Sequence, residues 1–152
     1  MRKKCRRKAW NLVNPIDHAI MGAAITQEGH LDHLRIRELG SIEAFRTGKA
    51  TKDDWRSLAD MLNITETLAG SGVGPEAMEP CQLAQQALSN AHARLQAGKS
   101  LGFTGPELQA MREAYDYHDI QRQSISRAQY EQAIKKTADR IRSAHPDLKV
   151  FA

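Results

Sequence analysis

The sequence predicts an all-α protein, a compact bundle of five or six helices ending in an antiparallel helical hairpin. Three observations predict it. Aromatic residues make up only 5% of the chain and Ala, Leu and Ile carry its apolar content, whereas strands draw on β-branched and aromatic side chains. Apolar residues recur at steps of three and four along most of the length. Three hydroxyl residues also stand three places before an acid or amide where such a period opens: Thr51 with Asp54, Thr104 with Glu107, and Ser126 with Gln129. That spacing lets each pair satisfy two of the unpaired N–H groups at a helix start.

Taken in order, Asn14-Pro15 reads as an N-cap followed by proline at the first helical position. Ile16, Ala19, Ile20, Ala23 and Ala24 then share one face. Leu31, Leu34, Ile42 and Phe45 mark a second helix from about 30 to 46, closed by Gly48. Glu38 intrudes on that stripe and needs a partner or a route to solvent. From Thr51 the stripe Leu58, Met61, Leu62, Thr65, Leu68, Ala69 runs to the stop at Gly70-Ser-Gly-Val-Gly74. Pro75 or Pro80 opens the next helix, where Ala77, Cys81, Ala84, Leu88, Ala91 and Leu95 form a small-residue seam that admits a close partner. After a loop from Gly98 to Gly102, Leu108, Met111, Tyr115 and His118 form the fifth face. Tyr130, Ile134, Thr137, Ile141 and Ala144 form the sixth. The linker at Gln123 to Ile125 is short enough to turn the last two helices into a hairpin.

Charge is unevenly placed. Arg2, Lys3, Lys4, Arg6, Arg7 and Lys8 hold six of the 22 basic residues; the remaining 16 face 18 acidic residues, a net of −2. The pI near 9.2 therefore belongs to the start of the chain and implies no basic domain surface. The organisation expected is a basic flexible tail over 1–9, one helical domain over 10–146, and a frayed C-terminus over 147–152. No apolar run approaches the roughly 18 residues of a membrane span, and Ala9 to Val13 is too short and polar for a signal-peptide core. Cys5 and Cys81 make no disulfide framework. The cytoplasm of a bacterial host is the expected location, with no membrane partner.

Each candidate site has a structural reading beside its functional one. The six tail cations could neutralise phosphates sequence-blindly, or could simply solubilise the start of the chain. Leu58 to Thr65 imitates the first helix and turn of a helix-turn-helix. The next residues, Glu66 to Gly72, are acidic and soon broken by glycine, so a continuous core helix accounts for the pattern better. His30 and His33 could face one metal but lack a third ligand in reach, and solvated histidines are expected. His118, beside Tyr115 with Asp116 and Asp119 nearby, reads as a partly buried histidine satisfied by one hydrogen bond. The glycine loop at 70–74 comes after a helix and lacks the Lys-Ser/Thr of a phosphate loop, so it reads as a helix stop. Cys81 reads as a packed core thiol. No acid–base–nucleophile set assembles, and no enzyme, cofactor or metal is expected.

Several stretches carry a resemblance: Asn14-Pro-Ile-Asp-His-Ala, Ile42-Glu-Ala-Phe-Arg-Thr-Gly, Asp54-Trp, Leu62-Asn-Ile-Thr-Glu-Thr-Leu-Ala, Gly72-Val-Gly-Pro-Glu-Ala and Tyr117-His-Asp-Ile-Gln-Arg-Gln-Ser-Ile. On these the chain resembles small helical proteins encoded by phages and prophages of Gram-negative bacteria. The resemblance rests on capping and packing motifs, so it transfers no functional residue. It implies a mobile element in a bacterial cytoplasm, where such proteins act stoichiometrically by binding a host or phage protein, including host regulatory or defence components. The alternative expectation is a nucleic-acid-associated protein that uses its basic N-terminal arm.

Overall fold

A computed structural model describes residues 28–144. Among them, five α-helices succeed one another with no strand: α1 (Asp32–Arg46), α2 (Lys52–Gly70), α3 (Met78–Gln96), α4 (Gly105–Gln123) and α5 (Arg127–Ser143). Two short 3-10 turns, Glu28–Leu31 and Pro75–Ala77, precede α1 and α3. The all-α bundle is thus as the sequence predicts. The helix expected from Asn14-Pro15, the basic tail over 1–9 and the terminus over 147–152 lie outside the described residues. No described helix is long and apolar enough to cross a membrane.

Local chemistry explains the element ends. All three capping boxes form. In the first, Thr51 N donates to Asp54 Oδ2 at 2.8 Å and Asp54 N donates to Thr51 Oγ1 at 3.3 Å. In the second, Thr104 N donates to Glu107 Oε2 at 2.9 Å, and in the third Ser126 N donates to Gln129 Oε1 at 2.9 Å. The C-terminal ends of α1, α2 and α3 share one device. The N–H of Lys49, Val73 and Lys99 reaches back five residues to the carbonyl of Ala44, Leu68 and Arg94 respectively. This closing bond needs a left-handed residue just before it, supplied by Gly48, Gly72 and Gly98 at φ +68°, +91° and +82°.

Successive helices alternate in direction, which the cross-links make plain. Trp55 Nε1 donates to Leu88 O at 3.2 Å and Cys81 Sγ to Leu62 O at 3.1 Å, so α3 descends along the rising α2. Phe45 stacks on Phe103 at 4.2 Å where α1 ends and α4 is about to begin, while Glu38, midway along α1, meets Arg122 near the far end of α4. α2 is the central element and packs against all four others. Its residues Leu58, Met61 and Leu62 are buried with Phe45, Leu88 and Met111 in the main apolar core.

The last helix keeps Thr137 of its expected face buried, but Ala133 joins it where the isoleucines were expected. Ala133 and Thr137 are its buried residues, whereas Ile134 and Ile141 remain 43% and 36% exposed. The small side chains at 133 and 137 admit a close approach to α2. The Thr137 hydroxyl meets Thr67 Oγ1 at 2.7 Å, and Arg140 pairs with Glu66. α5 returns antiparallel after the short turn, as predicted, but its principal neighbour is α2 and not α4.

Candidate functional site: a closed polar cluster and an open groove

Glu38 lies where the stripe of α1 puts it, facing the interior, and it is buried. Its partner is Arg122 of α4, whose side chain has no exposure. Nη1 and Nη2 of Arg122 donate to the two Glu38 oxygens at 3.0 and 2.8 Å, and Nε donates to Asp119 Oδ1 at 2.8 Å. Arg35 of α1 grips Asp119 in turn, Nε at 3.0 Å and Nη2 at 2.9 Å. The Tyr115 ring lies under the Arg122 guanidinium, 5.9 Å from ring centre to Cζ. Burial pushes the Glu38 carboxyl upward against the pull of Arg122. For Asp119 the two guanidinium groups outweigh burial, and its carboxyl is held below the ordinary aspartate range. Planar, two-pronged pairing of this kind gives a buried carboxylate charged donors on both of its oxygens.

His118 is next in the cluster and is fully buried, with two partners where the sequence suggested partial burial and one. Its Nδ1 lies 2.9 Å from Thr65 Oγ1, which itself donates to Met61 O at 2.8 Å; its Nε2 lies 3.2 Å from the Tyr130 hydroxyl. A consistent assignment puts the proton on Nδ1, donating to Thr65, with Tyr130 donating to Nε2. Burial first, and the Arg122 charge second, push its pKa down to about 3, so the ring is neutral in ordinary conditions. A neutral, sealed imidazole whose two nitrogens are both engaged is a structural strut between α2, α4 and α5. Beside it, Gln121 Nε2 donates to Val73 O at 2.9 Å and reaches Thr65 O at 3.4 Å. A Cβ at Gly74 would lie 3.0 Å from Gln121 Cγ, and Gly74 is also left-handed at φ +58°. The glycine turn is therefore a helix stop shaped around this glutamine.

The other residues singled out in the sequence take structural places. Cys81 is buried, its thiol pushed up to about 12 by burial, and it reads as a core thiol. Leu58 to Ala69 belongs to one continuous helix, so the helix-turn-helix pattern has no turn here. His33 is exposed, and among the described residues no three His, Cys, Asp or Glu side chains gather as a metal site. Arg2, Lys3, Lys4, Arg6, Arg7 and Lys8 lie outside the described residues.

Among the described residues, clefts open on two sides of the bundle. A 380 Å³ hollow beside the α1–α2 and α3–α4 loops is lined by Arg46, Arg94, Lys99, Phe103 and neighbours. Arg94 is committed there to Glu107 and to Gly102 O, and Arg46 to Glu43. A larger groove of 610 Å³ lies over α2 between α3 and α5. Its apolar lining comes from Trp55, Ala59, Leu62, Leu88, Ile141 and Ala144, and its rim from Arg56, Asp60, Asn63, Glu66, Ser89 and Arg140.

The stripe of α1 shows that Glu38 needs a partner but not which one. The usable signal is phase: Arg122 continues the stripe of Met111, Tyr115 and His118, so a cation sits at a core position on a second helix. The groove leaves no such signal, because it is a space between three helices. No protein-family model matches the chain, and neither a curated protein nor a solved structure matches it at a significant level.

Proposed function

We propose that the protein acts by stoichiometric binding to another protein and performs no chemistry of its own. One observation carries this reading: among the described residues, His118 and Cys81, side chains suited to acid–base or nucleophilic work, are buried and spent in internal bonds, while apolar surface lies open in the α2–α3–α5 groove. An exposed apolar surface rimmed by polar groups is what a protein–protein contact requires. The resemblance to phage-encoded helical proteins supports a host or phage protein in the bacterial cytoplasm as the target, including a regulatory or defence component. The test is capture from a bacterial host lysate with and without nuclease, then reconstitution from purified components. A 1:1 complex that survives nuclease is expected; steady turnover of a substrate by the purified protein would overturn the reading.

The charge distribution supports a second reading, nucleic-acid association through Arg2, Lys3, Lys4, Arg6, Arg7 and Lys8. Six phosphate contacts give a log–log salt slope of about −5 on duplex DNA. Deleting residues 1–8 abolishes that binding under this reading and leaves partner binding intact under the first.

A further inference from the structure

The fifth helix is held to the bundle differently from the other four. Two of its 17 residues, Ala133 and Thr137, are buried, against nine of 19 in α2. Its apolar contact is a small cluster apart from the main core: Leu68, Ile125 and Ala133, with Ile64, Val73 and Tyr130 packed on them. The rest is polar. Thr137 meets Thr67, Arg140 pairs with Glu66 and donates to Asn63 O, and Lys136 donates to Ser71 Oγ. The contacts of Arg140 and Lys136 lie at the surface, where water replaces them at little cost. Residues 124–126 alone join α5 to α4. A helix carried by so little buried apolar surface can leave the body while the main core stays closed.

One contact ties this arm to the interior. From the first turn of α5 the Tyr130 hydroxyl reaches His118 Nε2 at 3.2 Å, with the ring centres 6.0 Å apart. On the other side of the imidazole, Nδ1 faces Thr65 of α2 at 2.9 Å. With the proton on Nδ1, Nε2 is an acceptor and the phenol its donor. A second proton on the ring turns Nε2 into a donor, so the phenol must swing round and its own hydrogen loses its acceptor. Among the described groups, the charges that act on the ring are both on α4. Arg122 opposes a cation there and Asp119 favours one, aided by the Gln121 carboxamide. Glu38 and Arg35 of α1 hold Arg122 and Asp119, α2 offers the Thr65 hydroxyl, and α5 offers the Tyr130 phenol. The closed ring is neutral because no water reaches it.

We propose that α5 is a detachable arm latched by Tyr130 on His118: it opens as one unit from the four-helix body, water reaches the ring, and a proton taken up there holds the arm open. Opening uncovers Ile64 and Leu68 of α2, so the device governs how much apolar surface the protein presents. It is a property of the fold and stands whether or not the binding reading does.

Native-state hydrogen exchange of the full chain tests this, read by NMR at pH 7 and pH 5 and corrected for the intrinsic pH dependence of exchange. Amides of residues 131–141 should show about a tenth of the protection of residues 58–62 in α2, or less, at both pH values. Between pH 7 and pH 5 the α5 protection factors should fall about tenfold. A ring that titrates as free histidine once open would give roughly thirtyfold, and Arg122 beside it reduces that. In His118→Gln the fall should vanish while the gap between α5 and α2 remains. Tyr130→Phe, which keeps the ring and loses the latch, should lower α5 protection about fivefold at pH 7. Equal protection of α5 and α2 would show that the arm does not open by itself and would overturn the proposal. So would α5 protection that is the same at pH 7 and pH 5, or a fall that survives in His118→Gln. Should His118→Gln not fold, the wild-type pair of pH values and Tyr130→Phe decide: α5 protection unmoved by either overturns the latch.

Discussion

At one end of the bundle Phe45 stacks on Phe103, Leu58 and Met111 close the core beneath them, and the contacts are apolar. At the other end the same helices are joined by Glu38, Arg122, Asp119 and Arg35, with His118, Thr65 and Tyr130 beside them. Apolar contact is non-directional and tolerates small shifts of one helix along another. A two-pronged ion pair does not, because its bonds hold only at one height and rotation. The apolar end thus supplies burial, and the polar end selects the register in which α1, α4 and α5 meet α2. The difference also sets how each end fails. Removing an apolar side chain leaves a cavity, whereas removing half of an ion pair leaves a buried charge with nothing to answer it.

The largest effect should therefore come from the polar end. Arg122→Met is expected to cost about 3–5 kcal/mol by urea unfolding, since Glu38 then stays buried without its cation. The double variant Glu38→Leu, Arg122→Met should recover much of that loss, because the desolvated pair is replaced by apolar contact. A loss below about 1 kcal/mol for the single variant would show that water reaches Glu38 and that the two ends do not differ in kind. At the apolar end, Leu58→Ala is expected to cost about 3 kcal/mol through lost burial and the cavity left behind.

Between pH 7 and pH 5 acid should act chiefly through His118, since carboxylates with lowered pKa such as Glu107 and Asp54 respond at lower pH. The folded-state pKa of His118, about 3, lies below its unfolded value near 6.5. The unfolded chain therefore binds the proton first, and stability is lost as pH falls below about 6.5. At pH 5 this amounts to about 2 kcal/mol. Glu38, shifted upward, works in the opposite direction, which is why the comparison must be made against His118→Gln. That variant should flatten the urea midpoint between pH 7 and pH 5; an unchanged slope would mean that the ring titrates normally in the fold. The smallest effect belongs to the caps. Thr104→Ala and Ser126→Ala should each cost about 1 kcal/mol in a thermal or urea melt, since each removes a hydroxyl that accepts from the third helical N–H, at 3.5 and 3.2 Å.

How far each feature is legible in the sequence depends on how local its cause is. The starts of α2, α4 and α5 can be read because a cap and its reciprocal residue lie three positions apart. The buried stripe of α2 can be read because all its members lie on one helix with one period. The stripe of α5 is as expected at Thr137 and differs at Ala133, which is buried while Ile134 and Ile141 stay partly exposed. Hydrophobicity favours the isoleucines, but contact distance to α2 favours the small residues. His118 sits on the expected face, yet its second partner, Tyr130, belongs to another helix.

By itself the sequence determined the helical class, the capped starts, the glycine stops and the separation of a basic start from a slightly acidic remainder, because each depends on residues within a turn or two or on simple composition. Only the tertiary structure decided that Arg122 answers Glu38 across 84 positions, that α5 settles on α2, and that a groove remains over α2 between α3 and α5. Those outcomes depend on which helix faces come within a few ångströms of each other. That distance is set by the packing of all five helices at once and is written in no single stretch of the chain.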